Sequence, residues 1–171
     1  MKKIIFFALT FLFLLWLLPA CTNGTGEPDK PNEGKTETET DGFAFIYKDE
    51  SVHMGEDMQD VLTKWGEPRK MFETQSCAFE GMDRIFSYPG FEVHTYPDGD
   101  KDFVQVINFK DDSIATPEGV YLGSSLSDML AAYGGNYQQE LSQYTYEKGT
   151  AQLSFIIEDG VVEAIKYELK M

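Results

Sequence analysis

Two stretches of the chain carry the same pattern of apolar and polar positions. VHMGEDMQDVLTKWG begins at Val52, and VYLGSSLSDMLAAYG begins at Val120. In each stretch, four large apolar residues recur at i, i+3, i+4 and i+7, the spacing of one helix face: Met58, Val61, Leu62 and Trp65, then Leu126, Met129, Leu130 and Tyr133. We therefore predict two short amphipathic helices, each ended by a glycine, Gly66 or Gly134.

Alternating apolar residues and Asp-Gly turns after each helix predict three antiparallel strands per copy. Their approximate positions are residues 84–88, 91–96 and 103–109, then 137–146, 151–157 and 161–169. Residues 70–80 offer a further strand in the first copy, and residues 43–47 offer an edge strand before it.

The predicted fold class is α+β, with two tandem helix-plus-antiparallel-strand repeats forming one sheet and the helices packed on one face. The repeats span about residues 51–112 and 119–171 of a single domain, residues 43–171. One copy is too small to cover its own sheet, whereas two copies share a core. The facing of residues 91–96 stays open. Simple alternation turns His94 and Tyr96 outward, but alignment to the second copy at the Asp-Gly turn turns them inward.

The beginning of the chain has the layout of a secretory signal peptide, residues 1–20, in which a basic start and an apolar run lead to Ala20. The sequence LPAC, from Leu18 to Cys21, resembles the lipobox of bacterial lipoproteins. This resemblance implies cleavage between Ala20 and Cys21 and lipidation of the Cys21 sulfur. Two or three acyl chains, such as palmitate, would then anchor the protein stably. The alternative is a plain secreted protein with an incidental cysteine at the cleavage site.

A polar segment follows the lipobox. Residues 22–42 contain no aromatic or aliphatic side chain and are rich in Gly, Pro, Thr and Glu. Such a segment cannot bury enough apolar surface to offset its ordering entropy, so we expect residues 21–42 to form a disordered acidic tether.

The formal net charge of −15 argues against nucleic acid as a partner, because the phosphate backbone attracts basic proteins. With Cys21 lipidated, Cys77 is the remaining thiol of the chain. An intramolecular disulfide is then impossible, and we expect Cys77 to be a buried free cysteine.

We expect no enzymatic activity, no cofactor and no metal. GxSxG, HExxH and CxxC motifs are missing from the sequence. Cys77 and His94 could pair for nucleophilic catalysis, but no third group is suggested that would orient them. Asp98, Asp100 and Asp102 alternate as at the start of a calcium loop, but phenylalanines stand where that loop needs Gly and Glu. An acidic hairpin is the simpler interpretation.

Aromatic residues are the candidate binding groups. The chain has nine Tyr and thirteen Phe, and several of these aromatic residues lie at predicted strand positions. Tyrosine is a common anchor of protein interfaces. The candidate binding residues are Tyr88, His94, Tyr96, Tyr144 and Tyr146. Core packing is the alternative for at least half of these aromatic residues.

The shared openings, with the form G…(S/D)…DVL…(W/Y)G, resemble the β-lactamase-inhibitor-protein-like fold. The same opening followed by Gly66, Glu67 and Pro68 also resembles the SmpA/BamE family of envelope lipoproteins. The second copy departs from this pattern, with Gly135 and Asn136 after Gly134. The resemblance implies a curved sheet whose open face grips another protein, and it implies no particular contact residue.

Together, these features predict an extracytoplasmic lipoprotein that acts as a non-enzymatic protein-binding module of the bacterial envelope. We expect anchoring to the cell membrane through the Cys21 lipid, or to an outer membrane where the envelope has one. The expected partner is an envelope or extracellular protein. The alternatives are an inhibitor of a secreted or envelope hydrolase, such as a β-lactamase, and a structural spacer.

Overall fold

Ten strands and two helices make up the part of the chain that the structure, a computed structural model, describes, residues 42–171. In chain order they are β1 (Ala44–Tyr47), β2 (Glu50–His53), α1 (Met58–Trp65), β3 (Lys70–Gln75), β4 (Met82–Tyr88), β5 (Phe91–Asp98), β6 (Lys101–Phe109), α2 (Leu126–Tyr133), β7 (Gln138–Glu140), β8 (Gln143–Lys148), β9 (Ala151–Glu158) and β10 (Val161–Leu169). The predicted signal peptide, Ala20, Cys21 and the tether up to residue 41 lie outside the described residues. No helix within residues 42–171 has the length and apolar character to cross a membrane.

Eight strands form one antiparallel sheet in the order β3-β4-β5-β6-β10-β9-β8-β7. The centre of the sheet is the β6–β10 pair, where Ile107 lies opposite Tyr167. Four strands lie on each side of this junction, so the first half of the sheet is β3 to β6 and the second half is β10 to β7.

The predicted α+β class, built from two helix-plus-strand repeats, is wrong. Strands make up 52% of the described chain and helices only 12%. Each helix has eight residues, because Gly66 and Gly134 end it at positive φ values of 79° and 76°. A helix of about two turns covers little of a four-stranded half-sheet. The fold is therefore mostly β, with a large sheet and a smaller second sheet.

The second sheet corrects the expectation of an edge strand at residues 43–47. β1 pairs with β2 in a separate hairpin, and neither strand joins the large sheet. Phe45 of β1 is fully buried, and its ring lies 4.7 Å from that of Phe91 and 5.6 Å from that of Trp65. The hairpin thus covers core that the short helices leave open.

The helix ends use local hydrogen bonds. Asp57 caps α1 by accepting a 3.0 Å hydrogen bond from the Gln59 N–H, and Ser125 caps α2 by accepting one of 3.1 Å from the Asp128 N–H. Burial of Met58, Val61 and Trp65 confirms the predicted apolar face of α1. In α2, Met129 alone is fully buried, and its sulfur lies 3.4 Å from the Tyr146 hydroxyl oxygen.

The single strand predicted at residues 137–146 is instead a hairpin of two strands, β7 and β8. Its turn lies at Leu141, which adopts a positive φ of 53° and is 92% exposed. A non-glycine residue seldom adopts this conformation, so the sequence carries no turn signal there. Together with β3 in the first half, this hairpin gives each half of the sheet four strands.

The open question about residues 91–96 is resolved in favour of simple alternation. Phe91 and Val93 are buried, whereas His94 and Tyr96 turn to the other face. Beyond the pair Thr95–Val104, the β5–β6 hairpin continues for three pairs, whereas beyond Ile157–Val162 the β9–β10 hairpin continues for one. Asp98 thus lies three residues after Thr95, whereas Asp159 lies two residues after Ile157. An alignment at the two Asp-Gly dipeptides is one residue out of register, so it assigns residues 91–96 to the wrong faces.

Candidate functional site

The two faces of the large sheet differ in what covers them. One cross-strand row is Met71, Phe86, Val93, Ile107, Tyr167, Leu153 and Tyr146. All of these residues except Met71 at the sheet edge are buried beneath the helices and the β1–β2 hairpin. We call this side the core face and the opposite side the open face, because no described helix or hairpin packs on the latter.

On the open face, the neighbouring row changes character at the centre of the sheet. It runs through Phe72, Ile85, His94, Val106, Glu168, Gln152 and Glu147. The four members from β3 to β6 are aliphatic, aromatic or imidazole side chains, and the three members from β10 to β8 are charged or amide side chains. In this row the first half of the open face is apolar, and we call it the apolar half; the row beside it, Lys70, Ser87, Glu92 and Asn108, is polar.

A second group of aromatic rings extends this apolar half. The rings of Tyr96 and Phe103, directly paired across β5 and β6, have centroids 5.7 Å apart. Phe79, from the loop after β3, lies 5.3 Å from Tyr96. We define the open-face patch as Phe72, Phe79, Ile85, His94, Tyr96, Phe103 and Val106. Phe72 is 62% exposed and the other members are half-buried, so the patch presents apolar surface to solvent.

The second half of the open face pairs its polar groups internally. Lys166 and Glu168 form an ion pair of 2.6 Å on β10. Glu147 accepts hydrogen bonds from Lys170 at 2.7 Å and from Gln152 at 2.9 Å. Side chains with satisfied partners gain little from a new contact that displaces those partners. This polar half is thus the less favourable of the two for burial by another protein.

His94 is the titratable centre of the open-face patch. Burial lowers its pKa from the ordinary histidine range, partly opposed by the negative charge of Glu92, while Lys110 lowers it further. Its Nε2 atom lies 3.4 Å from the Nδ2 atom of Asn108, and Lys110 forms an ion pair of 3.2 Å with Glu92 beside it. Neutral His94 adds aromatic surface to the patch without an uncompensated charge.

The five predicted binding residues fall in two different places. His94 and Tyr96 belong to the open-face patch. Tyr88 and Tyr146 are buried on the core face at about 5% exposure or less, and burial raises the pKa of Tyr88 to about 12 and also raises that of Tyr146. Tyr144, half-buried, also turns towards the core face, where its ring lies 4.9 Å from that of Tyr137. These three tyrosines pack the core side and give no surface for a partner on the open face.

Five members of the patch were not found by sequence reasoning: Phe79, in the loop after β3, and four strand residues. The four strand residues are Phe72, Ile85, Phe103 and Val106. Each belongs to an alternating strand segment, which is a signal that sequence provides. The signal shows that two faces exist, but it does not show which strands lie side by side. The continuous row appears only when the register of β3, β4, β5 and β6 is known.

Cys77 is exposed, which contradicts the expectation of a buried thiol. It lies in the loop between β3 and β4, where the Ser76 hydroxyl accepts hydrogen bonds from the N–H groups of Ala78 and Phe79. The loop is ordered by these polar contacts and leaves the Cys77 side chain in solvent. His94 contacts Asn108 rather than Cys77, so the residues are not arranged as a nucleophile and its base.

The alternating aspartates lie at the β5–β6 turn, where Asp102 makes a structural contact. Asp102 forms an ion pair with Arg84, which also pairs with Glu73 at 3.2 Å. Asp98 and Asp100 are exposed at the turn. Within residues 42–171, no group of three or more His, Cys, Asp or Glu side chains is placed to hold a metal ion.

Comparison with known proteins was made for family models, curated proteins and solved structures. The chain matches none of them. The open-face patch is consequently the feature from which function has to be argued.

Proposed function

We propose that this protein is a non-enzymatic protein-binding module, held at a bacterial membrane by a lipid on Cys21. Its partner, an envelope or extracellular protein, contacts the apolar half of the open face. The observation that carries the proposal is the row Phe72, Ile85, His94 and Val106, which crosses four adjacent strands without a charged side chain.

Support comes from the contrast between the halves of one sheet. Apolar and aromatic side chains at the centre of an interface contribute most of its binding energy, and contiguous apolar patches often mark interaction sites. In this row, a surface needed only for solubility would carry polar side chains on both halves, as Glu168, Gln152 and Glu147 do on the second half. The apolar half is retained in a chain whose formal net charge is −15, which keeps it soluble despite the patch.

The chain offers a matched pair of positions for testing this proposal. Val106 lies opposite His94 in the first half, and Ala164 lies opposite Ile156 in the second half, each next to a β-bulge. Both side chains are half-buried on the open face. Val106→Asp would place a charge in the patch, whereas Ala164→Asp would place the same charge outside it.

The test is quantitative affinity capture from detergent-solubilised envelope of the native organism, with the whole protein immobilised. We expect one protein to be captured in stoichiometric amount by wild type and by Ala164→Asp, and at least about tenfold less by Val106→Asp. A captured protein retained equally by both variants would contradict the proposal, and so would no capture above a protein-free control. If the partner is a secreted hydrolase, inhibition of that enzyme by wild type would distinguish an inhibitor from an adaptor.

A further inference from the structure

The two edges of the large sheet are built differently. β7, at one edge, has three polar residues, Gln138, Gln139 and Glu140. β3, at the other edge, has six residues with every side chain exposed, including Met71 at 54% and Phe72 at 62%. Short edge strands without apolar side chains resist pairing with other strands, whereas longer edge strands that expose large apolar side chains favour it. The sheet therefore has one blunt edge and one edge that is open to pairing.

The backbone of β3 offers hydrogen-bonding groups on its outer side. The Ser76 N–H donates to the Gly81 carbonyl at 3.0 Å, which marks the first hydrogen-bonded pair of the β3–β4 hairpin. Such pairs alternate along an antiparallel ladder. By this alternation Phe72 and Thr74 bond inward to β4, while the N–H and C=O groups of Met71, Glu73 and Gln75 point away from the sheet.

The side chains of β3 are complementary to a second copy of themselves. Arg69 directly precedes the strand, which begins with Lys70 and carries Glu73 towards its other end. No ion pair of Arg69 or Lys70 occurs among the described residues, and Arg69 lies near Asp111. In an antiparallel pair of identical strands, the basic end of one copy lies beside the acidic residue of the other.

We propose that β3 pairs with β3 of a second copy of this chain, around a two-fold axis at Phe72. In this register, the two Phe72 rings face each other, Met71 lies opposite Glu73, and Lys70 lies opposite Thr74. No like charges are brought directly together, and aromatic pairs directly opposite each other stabilise antiparallel sheets. A register shifted towards Glu73 would oppose two glutamates.

The two unlike edges also determine how many copies assemble. An isologous pair uses the same surface of both copies and leaves no further β3 edge for a third. Both outer edges of the pair are then the short polar β7 strands. Self-pairing thus closes at a dimer, whose two large sheets form one continuous sheet with the apolar halves at its centre.

Cysteine cross-linking tests this register directly. Directly opposite residues in a non-hydrogen-bonded pair have Cα atoms about 4.5 Å apart, within reach of a disulfide. With Cys21 and Cys77 both changed to Ser, Phe72→Cys is expected to give a disulfide-linked dimer under mild oxidation. Thr74→Cys, on the same strand and face, is the control: the two cysteines would lie roughly 13 Å apart, four residues along the strand.

Sedimentation of the cysteine-free protein gives an independent result. We expect a concentration-dependent monomer–dimer equilibrium between about 10 μM and about 1 mM, because six-residue edge pairing buries less surface than a standard interface. Met71→Pro removes an outward N–H while keeping the β3–β4 ladder, and it should weaken association at least about tenfold. A monomer at every concentration, equal cross-linking of Thr74→Cys and Phe72→Cys, or unchanged association of Met71→Pro would overturn the proposal. None of these results bears on capture of another protein by the open-face patch.

Discussion

The Tyr146 hydroxyl donates a hydrogen bond of 2.8 Å to the carbonyl of Gly134, the residue that ends α2. Tyr88 makes the corresponding hydrogen bond of 3.0 Å to the carbonyl of Gly66 at the end of α1. In each half, a strand of the sheet thus fixes the end of the helix that covers it. The carbonyl groups at a helix C-terminus have no partner within the helix, so these phenols satisfy groups that would otherwise need water.

Removing either hydroxyl should weaken the protein measurably. We expect Tyr88→Phe and Tyr146→Phe each to lower the free energy of unfolding by about 1 kcal/mol, the usual contribution of a hydrogen bond between neutral groups. Urea unfolding gives the measurement. Tyr144→Phe is the control, because the Tyr144 hydroxyl forms no hydrogen bond within the described residues; an equal loss in that variant would show that the hydrogen bonds are not the cause.

Glycines at positive φ should differ in their tolerance of alanine. At Gly134, with φ of 76° and ψ of −166°, a Cβ would meet nothing within 4 Å, so the cost of Gly134→Ala is backbone strain of about 1–3 kcal/mol. At Gly90, with φ of 83°, the Cβ would lie 2.6 Å from Ser113 Oγ and 3.0 Å from Ile114 Cγ2. Gly90→Ala should therefore destabilise more, as measured by the shift of the urea midpoint. A smaller shift than that of Gly134→Ala would contradict this packing.

Neighbouring residues of β1 test whether the small hairpin belongs to the core. Phe45 is fully buried among aromatic rings, whereas Ile46 is 47% exposed. Phe45→Ala should lower the free energy of unfolding by about 3–5 kcal/mol, since it leaves a cavity in the core. Ile46→Ala should cost less than about 1 kcal/mol. Similar losses in thermal unfolding of both variants would mean that the hairpin does not pack as described.

Stability should depend on pH through His94. Burial lowers its folded pKa below the ordinary histidine value of 6.5, so just below pH 6.5 the unfolded chain binds more protons than the folded one. The free energy of unfolding of wild type should consequently rise with pH across that window. For His94→Gln, the free energy of unfolding measured in urea should rise less between about pH 5 and pH 7. Identical pH profiles for wild type and variant would contradict the burial of His94.

Local patterns predicted much of the secondary structure, because helices and tight turns depend mainly on residues that are close together in the sequence. The spacing of Met58, Val61 and Trp65 and the glycine that follows them specify α1 without long-range information. β7 and β8 were missed as separate strands, because their turn at Leu141 depends on a conformation that its sequence does not favour. The sequence of β1 indicates neither that β2 is its partner nor that the β1–β2 hairpin packs against the core.

The candidate site was predicted only in part, because it depends on register. His94 and Tyr96 were found as candidates. The face of the sheet on which they lie stayed open until the different lengths of the β5–β6 and β9–β10 hairpins were known. Tyr88 and Tyr146 are tyrosines, as interface anchors often are, but their burial and their hydrogen bonds to the helix ends place them on the core face. Side-chain chemistry was thus readable from the sequence, whereas the face of the sheet was not.

The central claim is that a partner covers the apolar half of the open face, and side-chain footprinting with hydroxyl radicals tests it most directly. Wild type is oxidised at one fixed concentration, once alone and once in complex with the partner protein that it captures. Oxidation of His94 and Tyr96 should fall severalfold in the complex, while that of Leu141, 92% exposed at the far edge, should stay unchanged. Protection of Leu141 with none at His94 and Tyr96 would contradict the account.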